Sequence, residues 1–282
     1  MPTAQELVQW GEHTLSEHAV PDARRESEVL VARALGRERA WLYAHPEQPV
    51  PAEQEAQVRS WVERRGRREP LHYITGEVEF FGLTFHVDPR VLIPRPETEM
   101  LVEAGLAFLR RHPQARTADL CTGSGCVAVA LAVNAPRCRV LAVDLSAGAL
   151  AVARANAERH GVADRVTFVL GDLWEPLPAQ IDLVLSNPPY VRSEDYAGLM
   201  PEVRDHEPRQ ALEAGEDGLV VIRPLLAEAP RRLAPGGALY VEIGEKQGPA
   251  VAALARQAFP RARIAIHQDL ASLDRMLAVE TE

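Results

Sequence analysis

The period of the apolar positions changes along the chain and divides it into two parts. Residues 1 to about 75 carry apolar residues at helical spacing, as in DARRESEVLVARALG and PAEQEAQVRSWVERRGRR. Asp22 stands where a capping residue is favoured, and Pro51 where a first-turn proline is favoured. The arginine run at 64–68 is interpreted as a solvated helix end. This part predicts a small helical domain.

From residue 117 onward, short apolar runs alternate with helical stretches. The runs TADLC, CRVLAVD, RVTFVL, IDLVLS and GALYVEIG are predicted strands, and helices are predicted near 126–134, 146–160, 216–233 and 247–258. Regular alternation indicates a mainly parallel, doubly wound α/β sheet. Two further β-like runs, RARIAIHQ and DRMLAVE, have no helix between them, so we expect this last pair to be antiparallel.

A third segment is predicted to link the two parts. GEVEFFGLTFHVD has the alternation of a β-hairpin around Gly82. VLIPRPETEMLVEAGLAFLRR then predicts a short apolar strand, a proline-stiffened turn and a helix, with Glu97 and Glu99 placed favourably for the helix dipole. The predicted parts are a helical domain at 1–75, a hairpin linker at 76–90 and an α/β domain at 91–282.

Composition and charge exclude several classes of protein. The chain has 282 residues with ordinary hydrophobic content, and it contains no apolar run long enough for a membrane span. The first residues lack a basic segment followed by an apolar one, so we expect no secretory signal and a cytoplasmic location. The net charge of -9 opposes a broad basic surface for nucleic acid. Lys246 is the only lysine, which leaves almost no scope for Schiff-base or P-loop chemistry.

The residues that commonly bind metal ions form no recognisable pattern. Cys121, Cys126 and Cys138 are too few and wrongly spaced for a disulfide framework or a zinc site, and we interpret them as small buried residues. The nine histidines are scattered, without an H-x-x-x-H pair. No metal site is predicted.

The stretch ADLCTGSGCVAVALAV indicates a strand, a glycine-rich turn and a helix. Gly123 and Gly125 permit positive φ and let a ligand approach the backbone, while the start of the helix offers unpaired N–H groups. The next strand ends in Asp144, where nucleoside-binding α/β folds place the carboxylate that accepts ribose hydroxyls. A nicotinamide cofactor would fit as well, although position 128 is Ala rather than a third glycine.

The ends of the third and fourth strands favour a different cofactor. In GDLWEPL, Asp172 can accept a hydrogen from an adenine amino group and Leu173 can cover the ring. The fourth strand runs into LSNPPYV, in which each proline fixes φ, so Asn187 and Tyr190 stand on a stiff loop. Neither feature is expected of a dehydrogenase.

These motifs, taken in order, resemble a known family. DLCTGSGCVAVAL, VDLS, GDLWEPL and LSNPPY resemble class I S-adenosylmethionine-dependent methyltransferases, and NPPY resembles the branch that methylates exocyclic or side-chain amide nitrogens. YITGEVEFFGLTFHVDPRVLIPRPETEMLVE, EPRQALEAGEDGL, LYVEIGEKQG and QDLASLDRMLAV extend the likeness over nearly the whole chain to the HemK-type peptide chain release factor glutamine methyltransferases. Cys121 and Ala214 depart from the usual glycines. Both are small, so we expect altered packing rather than loss of cofactor binding.

The resemblance implies a fold, a cofactor and a partner. The implied fold is a Rossmann-like, seven-stranded sheet, mostly parallel with the last strand antiparallel. A small N-terminal helical domain, which holds the protein substrate, precedes it in the chain and is linked to it by a β-hairpin. S-adenosylmethionine is the implied methyl donor, S-adenosylhomocysteine the product, and release factors the protein partner, with no metal, nucleic acid or membrane involved. The residues expected to bind the cofactor are Cys121, Thr122, Gly123, Ser124, Gly125, Asp144, Leu145, Asp172, Leu173 and Asn187.

The resemblance also implies how the substrate glutamine is held. An amide nitrogen is a poor nucleophile because its lone pair is delocalised, so position must compensate. The substrate amide is expected in the loop formed by Asn187, Pro188, Pro189 and Tyr190. The Asn187 side-chain oxygen and the Pro188 carbonyl would each accept one amide hydrogen, and Tyr190 would pack on the amide plane. A carboxylate in place of Asn187 would also pair with the sulfonium and stabilise the ground state.

Several interpretations remain open at this point. Arg95, Glu97 and Thr98 form either an acid-capped helix start or, by the resemblance, a turn beside the cofactor. A ribosomal-protein glutamine methyltransferase shares NPPY, although IPRPETE favours the release factor branch. An adenine-N6 nucleic-acid methyltransferase could use the same loop after base flipping, but the acidic charge counts against it. A non-catalytic binding module would not need both Asp144 and Asn187.

Overall fold

The computed structural model describes residues 1–177 and 180–282. Contacts between Cα atoms divide the chain into two compact units. The first unit comprises Met1–Glu77 and Met200–His206, and the second comprises Val78–Leu199 and Glu207–Glu282. The segment Met200–His206, which the sequence places in the α/β part, is therefore grouped with the helical residues.

The described residues form twelve α-helices, and none of these is long and apolar enough to cross a membrane. In chain order they are α1 (Ala4–Glu17), α2 (Ala23–Ala34), α3 (Arg39–Ala44), α4 (Ala52–Gly66), α5 (Leu71–Thr75), α6 (Glu99–Arg111), α7 (Cys126–Asn134), α8 (Ala147–Arg159), α9 (Ser193–Tyr196), α10 (Pro201–His206), α11 (Ile222–Arg232) and α12 (Gly248–Ala258). Two 3₁₀ turns cover Pro96–Thr98 and Arg209–Ala211.

The strands form a hairpin and one large sheet. They are β1 (Glu77–Phe80), β2 (Leu83–His86), β3 (Arg116–Leu120), β4 (Arg139–Asp144), β5 (Val166–Leu170), β6 (Ile181–Ser186), β7 (Leu233–Glu242), β8 (Arg263–Gln268) and β9 (Asp274–Glu280). β1 pairs with β2, and the seven-stranded sheet has the order β5-β4-β3-β6-β7-β9-β8. β9 is antiparallel to both of its neighbours, while the pairs from β5 to β7 are parallel. The predicted hairpin, the mainly parallel sheet and the antiparallel last pair are confirmed.

The first unit packs helices around an apolar core. Leu7, Leu15 and Leu30 are fully or almost fully buried in it, and α1 begins at a capping box formed by Thr3 and Glu6. Asp22 precedes α2 at the N-cap position, as predicted, but its side chain does not cap the helix. Asp22 has φ 50°, in the left-handed region, and within the described residues its side chain makes no capping hydrogen bond. A capping side chain reaches the first amides of a helix from an extended backbone, which Asp22 lacks.

Two smaller predictions about α4 also change. Pro51 is the residue before the helix rather than part of its first turn. Arg65, interpreted as part of a solvated helix end, is 3% exposed. Its guanidinium pairs with Glu26 and donates to Glu202 at 2.7 Å, so a buried ion cluster replaces the solvent that an arginine otherwise requires. Arg68 donates to the same Glu202 at 2.7 Å.

Two elements of the second unit differ from prediction. In the described part of the chain, no strand forms at 91–93, where the apolar run VLI predicted one. The N–H of Ile93 donates to a carboxylate oxygen of Glu207 at 3.1 Å, and a proline follows directly, so a sheet ladder has no place there. The helix predicted over 216–233 is α11, which starts later, at Ile222.

The large sheet gathers the ends of its parallel strands along one edge. β3, β4, β5 and β6 end at Leu120, Asp144, Leu170 and Ser186, and these strands are neighbours in the sheet. The central strands are buried on both faces, as expected when helices cover both sides of a parallel sheet. The loops that follow these strands therefore meet in one place, where open α/β sheets bind their ligands.

Candidate active site

A cavity of about 300 Å³ lies at the carboxyl ends of β3 to β6. Thr98 and Pro189 line it, together with most of the residues predicted to bind the cofactor. Those cofactor residues are Cys121, Thr122, Gly123, Ser124, Asp144, Leu145, Asp172, Leu173 and Asn187. As far as the chain is described, the wall does not include Gly125, Pro188, Tyr190, Arg95 or Glu97. Four separate sequence motifs thus meet in one cavity.

The two predicted glycines have different roles in the turn before α7. Gly123 has φ 54°, and a Cβ atom built on it would meet no described atom within 4 Å, so this position is open to a ligand. Gly125 has φ 78°, and a Cβ there would lie 2.9 Å from the Cβ of Ala153. Gly125 therefore allows α7 to start close against α8. Cys121 has φ 60°, a conformation that favours glycine and explains why a glycine is usual there.

Asp144 is held by the backbone of two loops. Its Oδ2 accepts the N–H of Gly123 and its Oδ1 accepts the N–H of Ser146, each at 2.9 Å. Burial raises the pKa of Asp144, and these hydrogen bonds act in the opposite direction. Each carboxylate oxygen keeps a second lone pair, so the group can still accept two hydroxyl hydrogens from a ligand in the cavity.

Asp119 is a residue of the cavity wall that the sequence analysis missed. It is 1% exposed, and its Oδ2 accepts the Thr122 hydroxyl at 2.6 Å and the Ala128 N–H at 3.2 Å. Burial raises its pKa to about 7. A signal was present in the sequence, because a carboxylate inside a buried strand, beside a glycine-rich turn, must find partners rather than solvent.

The rest of the wall combines a polar atom without a partner and exposed apolar side chains. The hydroxyl of Ser124 is buried and makes no hydrogen bond within the described residues. Leu145 is 69% exposed and Val220 is 56% exposed, and both line the cavity. Buried polar atoms are normally paired and large apolar residues normally covered, so this wall suits a ligand with polar and apolar parts.

Asn187 is joined by a hydrogen bond to the buried Thr98, and through Thr98 to the buried Glu242. Its Nδ2 donates to the Thr98 hydroxyl at 3.1 Å, and that hydroxyl donates to Oε2 of Glu242 at 2.6 Å. The Tyr190 hydroxyl donates to Oε1 of the same Glu242 at 3.3 Å. Glu242 lies at the end of β7, and the sequence analysis did not identify it as a site residue. A single chain of contacts therefore connects the NPPY loop, the turn at Thr98 and β7.

The backbone of the NPPY loop is fixed from both sides. The Val191 N–H donates to the Leu212 carbonyl and the Ala214 N–H to the Val191 carbonyl, each at 2.8 Å. The side-chain amide of Gln247 donates to the Tyr190 carbonyl at 3.1 Å. Tyr190 packs against the sheet core and borders a second cavity, of about 920 Å³. The loop is therefore a rigid corner rather than a flexible connection.

The turn that contains Arg95, Glu97 and Thr98 is pinned by a buried carboxylate. Arg95 donates to Oε1 of Glu207 at 2.5 Å, while Oε2 of Glu207 accepts the backbone N–H of Ile93. Burial raises the pKa of Glu207, and Arg95 opposes that effect. Of the three predicted residues, Thr98 reaches the cavity wall. Within residues 1–177 and 180–282, no group of three or more His, Cys, Asp or Glu could hold a metal ion.

Comparisons with known proteins agree with this geometry. Residues 6–76 match the family described as PrmC N-terminal domain, and residues 98–203 match the methyltransferase small domain family. Among solved structures, the hMettl16 catalytic domain aligns with a TM-score of 0.58 at 17% identity, over 82% of each chain. A methyltransferase from Pyrococcus furiosus aligns with a TM-score of 0.51 at 16% identity, over 82% of this chain and 98% of that one. These structural likenesses show the fold alone, which is that of class I methyltransferases.

Sequence relatives are much closer. The chain is 47% identical over 251 residues to the release factor glutamine methyltransferase of Geobacter sulfurreducens, covering 88% of this chain and 87% of that protein. It is 42% identical over 278 residues to that of Nitratidesulfovibrio vulgaris, covering 98% of this chain and 94% of that protein. The chain belongs to the release factor glutamine methyltransferase family.

Proposed function

We propose that this protein transfers a methyl group from S-adenosylmethionine to the N5 nitrogen of a glutamine side chain in a peptide chain release factor. The observation that carries the proposal is the setting of Asn187 on the cavity wall. Because its Nδ2 is engaged by Thr98, its Oδ1 is the atom that can accept a hydrogen from a ligand. The names of the full-length relatives support release factors as the substrate. Because release factors act in translation termination, the proposal also places the protein in the cytoplasm.

The residues of the cavity wall fit S-adenosylmethionine. Asp144 is proposed to accept the two ribose hydroxyls with the lone pairs that Gly123 and Ser146 leave available. Asp172 is proposed to accept from the adenine amino group, with Leu145 and Leu173 covering the base. The remaining proposed contacts are made by Cys121, Thr122, Gly123, Ser124 and Asn187, and the position of Gly125 beside Ala153 supports an indirect role for it. When bound, the cofactor supplies an electrophilic methyl group on a sulfonium sulfur and leaves as S-adenosylhomocysteine.

The NPPY corner is proposed to orient the substrate amide. Asn187 Oδ1 and the Pro188 carbonyl each accept one amide hydrogen, Pro189 forms part of the wall, and the Tyr190 ring borders the amide. Holding both hydrogens aims the nitrogen lone pair at the methyl carbon. With the cofactor bound, a C–N bond would form as the C–S bond breaks, and the nitrogen would afterwards lose one proton to solvent. Alignment of this kind supplies roughly 7–11 kcal/mol in favourable cases.

The helical domain at 1–75 is proposed to hold the protein substrate. The hairpin at 76–90 is proposed to link it to a methyltransferase domain at 91–282. The match of residues 6–76 to the PrmC N-terminal domain supports a dedicated role for this part. The net charge of -9 favours a protein substrate over a nucleic acid, which requires a basic surface.

The proposal is tested by offering labelled S-adenosylmethionine with a release factor, a ribosomal protein or duplex DNA in separate reactions. We expect label on one glutamine of the release factor, located by mass spectrometry. Label on the ribosomal protein or the DNA, with none on the release factor, would refute the proposal. Asn187→Ala removes only one of the proposed cofactor contacts, so we expect it still to bind the cofactor by calorimetry, while turnover falls by about 10²-fold or more because alignment is lost. Unchanged turnover would remove Asn187 from its proposed role.

A further inference from the structure

We propose that Glu242 and Thr98 are positioning residues that fix which edge of the Asn187 side-chain amide faces the substrate. The catalytic consequence of this inference rests on the proposed function, since only there does Asn187 receive a carboxamide. The hydrogen-bond chain has a defined direction and runs through three buried or half-buried groups, Asn187, Thr98 and Glu242.

An asparagine side chain can present either of two edges. Its oxygen accepts hydrogens and its NH₂ donates them, and a rotation of about 180° exchanges the two. A substrate amide that offers two hydrogens is held by the oxygen and repelled by the NH₂. A neighbour must therefore select one orientation, because the backbone of Asn187 is the same in both.

The Thr98 hydroxyl makes that selection through the single hydrogen it carries. It lies 3.1 Å from Nδ2 of Asn187 and 2.6 Å from Oε2 of Glu242. An ionised carboxylate has no hydrogen to give, so the hydroxyl hydrogen points to Glu242. The hydroxyl oxygen is then left as an acceptor, and only the NH₂ edge of Asn187 can satisfy it. The Oδ1 edge is the one that remains for the substrate.

Glu242 is set to act as an acceptor at both of its oxygens. Its other oxygen, Oε1, receives the Tyr190 hydroxyl at 3.3 Å, and the residue is 3% exposed. Thr98 comes from the turn before α6, Tyr190 from the loop after β6, and Glu242 from the end of β7. Three segments that are distant in sequence therefore meet at one buried carboxylate. A glutamate exposed to solvent would need no such set of hydrogen-bond partners.

The charge of Glu242 is sensitive to pH near neutrality. Burial raises its pKa and Glu97 adds to the rise, whereas Thr98, Tyr190 and Arg275 oppose it, and the net result is a pKa of about 7. The buried thiol of Cys126 also lies within the field of this carboxylate. When protonated, Glu242 can donate to the Thr98 hydroxyl, which can then donate to Oδ1 of Asn187. The amide would turn, and its NH₂ edge would meet the substrate.

A direct test observes the Asn187 amide without any substrate. The chain contains three asparagines, Asn134, Asn156 and Asn187, so selective ¹⁵N-asparagine labelling gives three side-chain NH₂ signals, and Asn187→Ala identifies one. We expect the Asn187 signal to shift with a midpoint near pH 7 and to stay constant in Glu242→Gln. Asn134, which donates to the Ala130 carbonyl within α7, is the internal reference. An Asn187 signal as constant as that of Asn134 in the wild-type protein would overturn the proposal.

A kinetic test compares variants of the hydroxyl. Thr98→Val leaves the Asn187 NH₂ without an acceptor and is expected to lower kcat by about 10²-fold, with cofactor affinity unchanged, while Thr98→Ser restores most of it. Thr117→Val is the matched control. Thr117 is as buried as Thr98, but it lies near the start of β3, whereas the cavity is at the carboxyl end of that strand. Wild-type kcat in Thr98→Val would refute the role of the hydroxyl.

The pH profile separates positioning from a general structural effect. Wild-type kcat is expected to rise about tenfold between roughly pH 6 and pH 8 as Glu242 ionises, and Glu242→Gln is expected to flatten this rise. A rise of the same size in Glu242→Gln would contradict the inference. If the wild-type protein methylates no glutamine at all, the proposed function fails, and the NMR titration still decides the direction of the hydrogen-bond chain.

Discussion

Asp144→Asn is predicted to weaken cofactor binding while the fold stays in place. Asp144 uses one oxygen for the N–H of Gly123 and the other for the N–H of Ser146, both at 2.9 Å. An asparagine of the same shape has one oxygen and one NH₂. One of the two backbone N–H groups would therefore meet the NH₂, which is a donor and cannot accept its hydrogen. The same exchange removes an acceptor from one of the two proposed ribose hydrogen bonds and the negative charge from the other.

The magnitude follows from what happens to these two ribose hydrogen bonds. A hydrogen bond to a charged group contributes about 1.5–3 kcal/mol, whereas a neutral one contributes about 1 kcal/mol. Removing one charged hydrogen bond and neutralising the second weakens binding by about 2–5 kcal/mol. This difference corresponds to a dissociation constant raised roughly 30- to 5,000-fold.

Isothermal titration with S-adenosylmethionine measures this change. Asp164→Asn is the matched control, because Asp164 is an exposed residue in the loop before β5 and should leave the affinity unchanged. At saturating cofactor, Asp144→Asn should turn over at close to the wild-type rate, since Asp144 has no proposed contact with the glutamine. A dissociation constant within about twofold of wild type would refute the assignment of Asp144 to the ribose.

Two further predictions concern stability and reactivity. Arg65→Met should destabilise the helical unit by about 3 kcal/mol in urea unfolding, because it leaves Glu202 buried without one of its two arginine partners. Burial alone would raise the pKa of Glu202, but hydrogen bonds from Arg68 and Arg65 leave it below its ordinary value of 4.5, so this contribution is complete above that pH and is lost as the pH falls below it. An equal loss of stability at low and neutral pH would contradict this reasoning. Burial raises the pKa of the Cys126 and Cys138 thiols, so iodoacetamide at about pH 8 should modify these two only after unfolding, and their rapid labelling in the folded protein, located by mass spectrometry, would show the reasoning to be wrong.

The sequence predicted most of the α/β architecture because its pattern is local. Alternation of apolar strands and helices placed the parallel sheet and the antiparallel end, and the spacing from Gly125 to Asp144 brought two motifs to one edge. The strand expected at 91–93 failed because its fate depends on Glu207, more than a hundred positions away, which takes the N–H of Ile93. Local propensity contains no information about such a partner.

The functional site shows the same difference between features that are local in the sequence and contacts that form only in the folded chain. Asn187 could be identified from two prolines at a strand end, a feature visible within a few residues. Glu242 could not, because it looks like an ordinary strand residue until the sheet places it beside Thr98 and Tyr190. Asp119 is a different case, because its partners Thr122 and Ala128 are close to it in sequence, and the signal of a carboxylate within a buried strand was overlooked. Residues that position others are therefore harder to find than residues that carry a motif.

The central claim is that the corner at Asn187 and Pro188 grips a carboxamide by its two hydrogens. The most direct measurement is a structure of the protein with S-adenosylhomocysteine and a glutamine-containing release factor fragment. We expect the amide nitrogen to lie about 3 Å from both Oδ1 of Asn187 and the Pro188 carbonyl oxygen. A glutamine side chain bound elsewhere, with this corner facing solvent, would contradict the account.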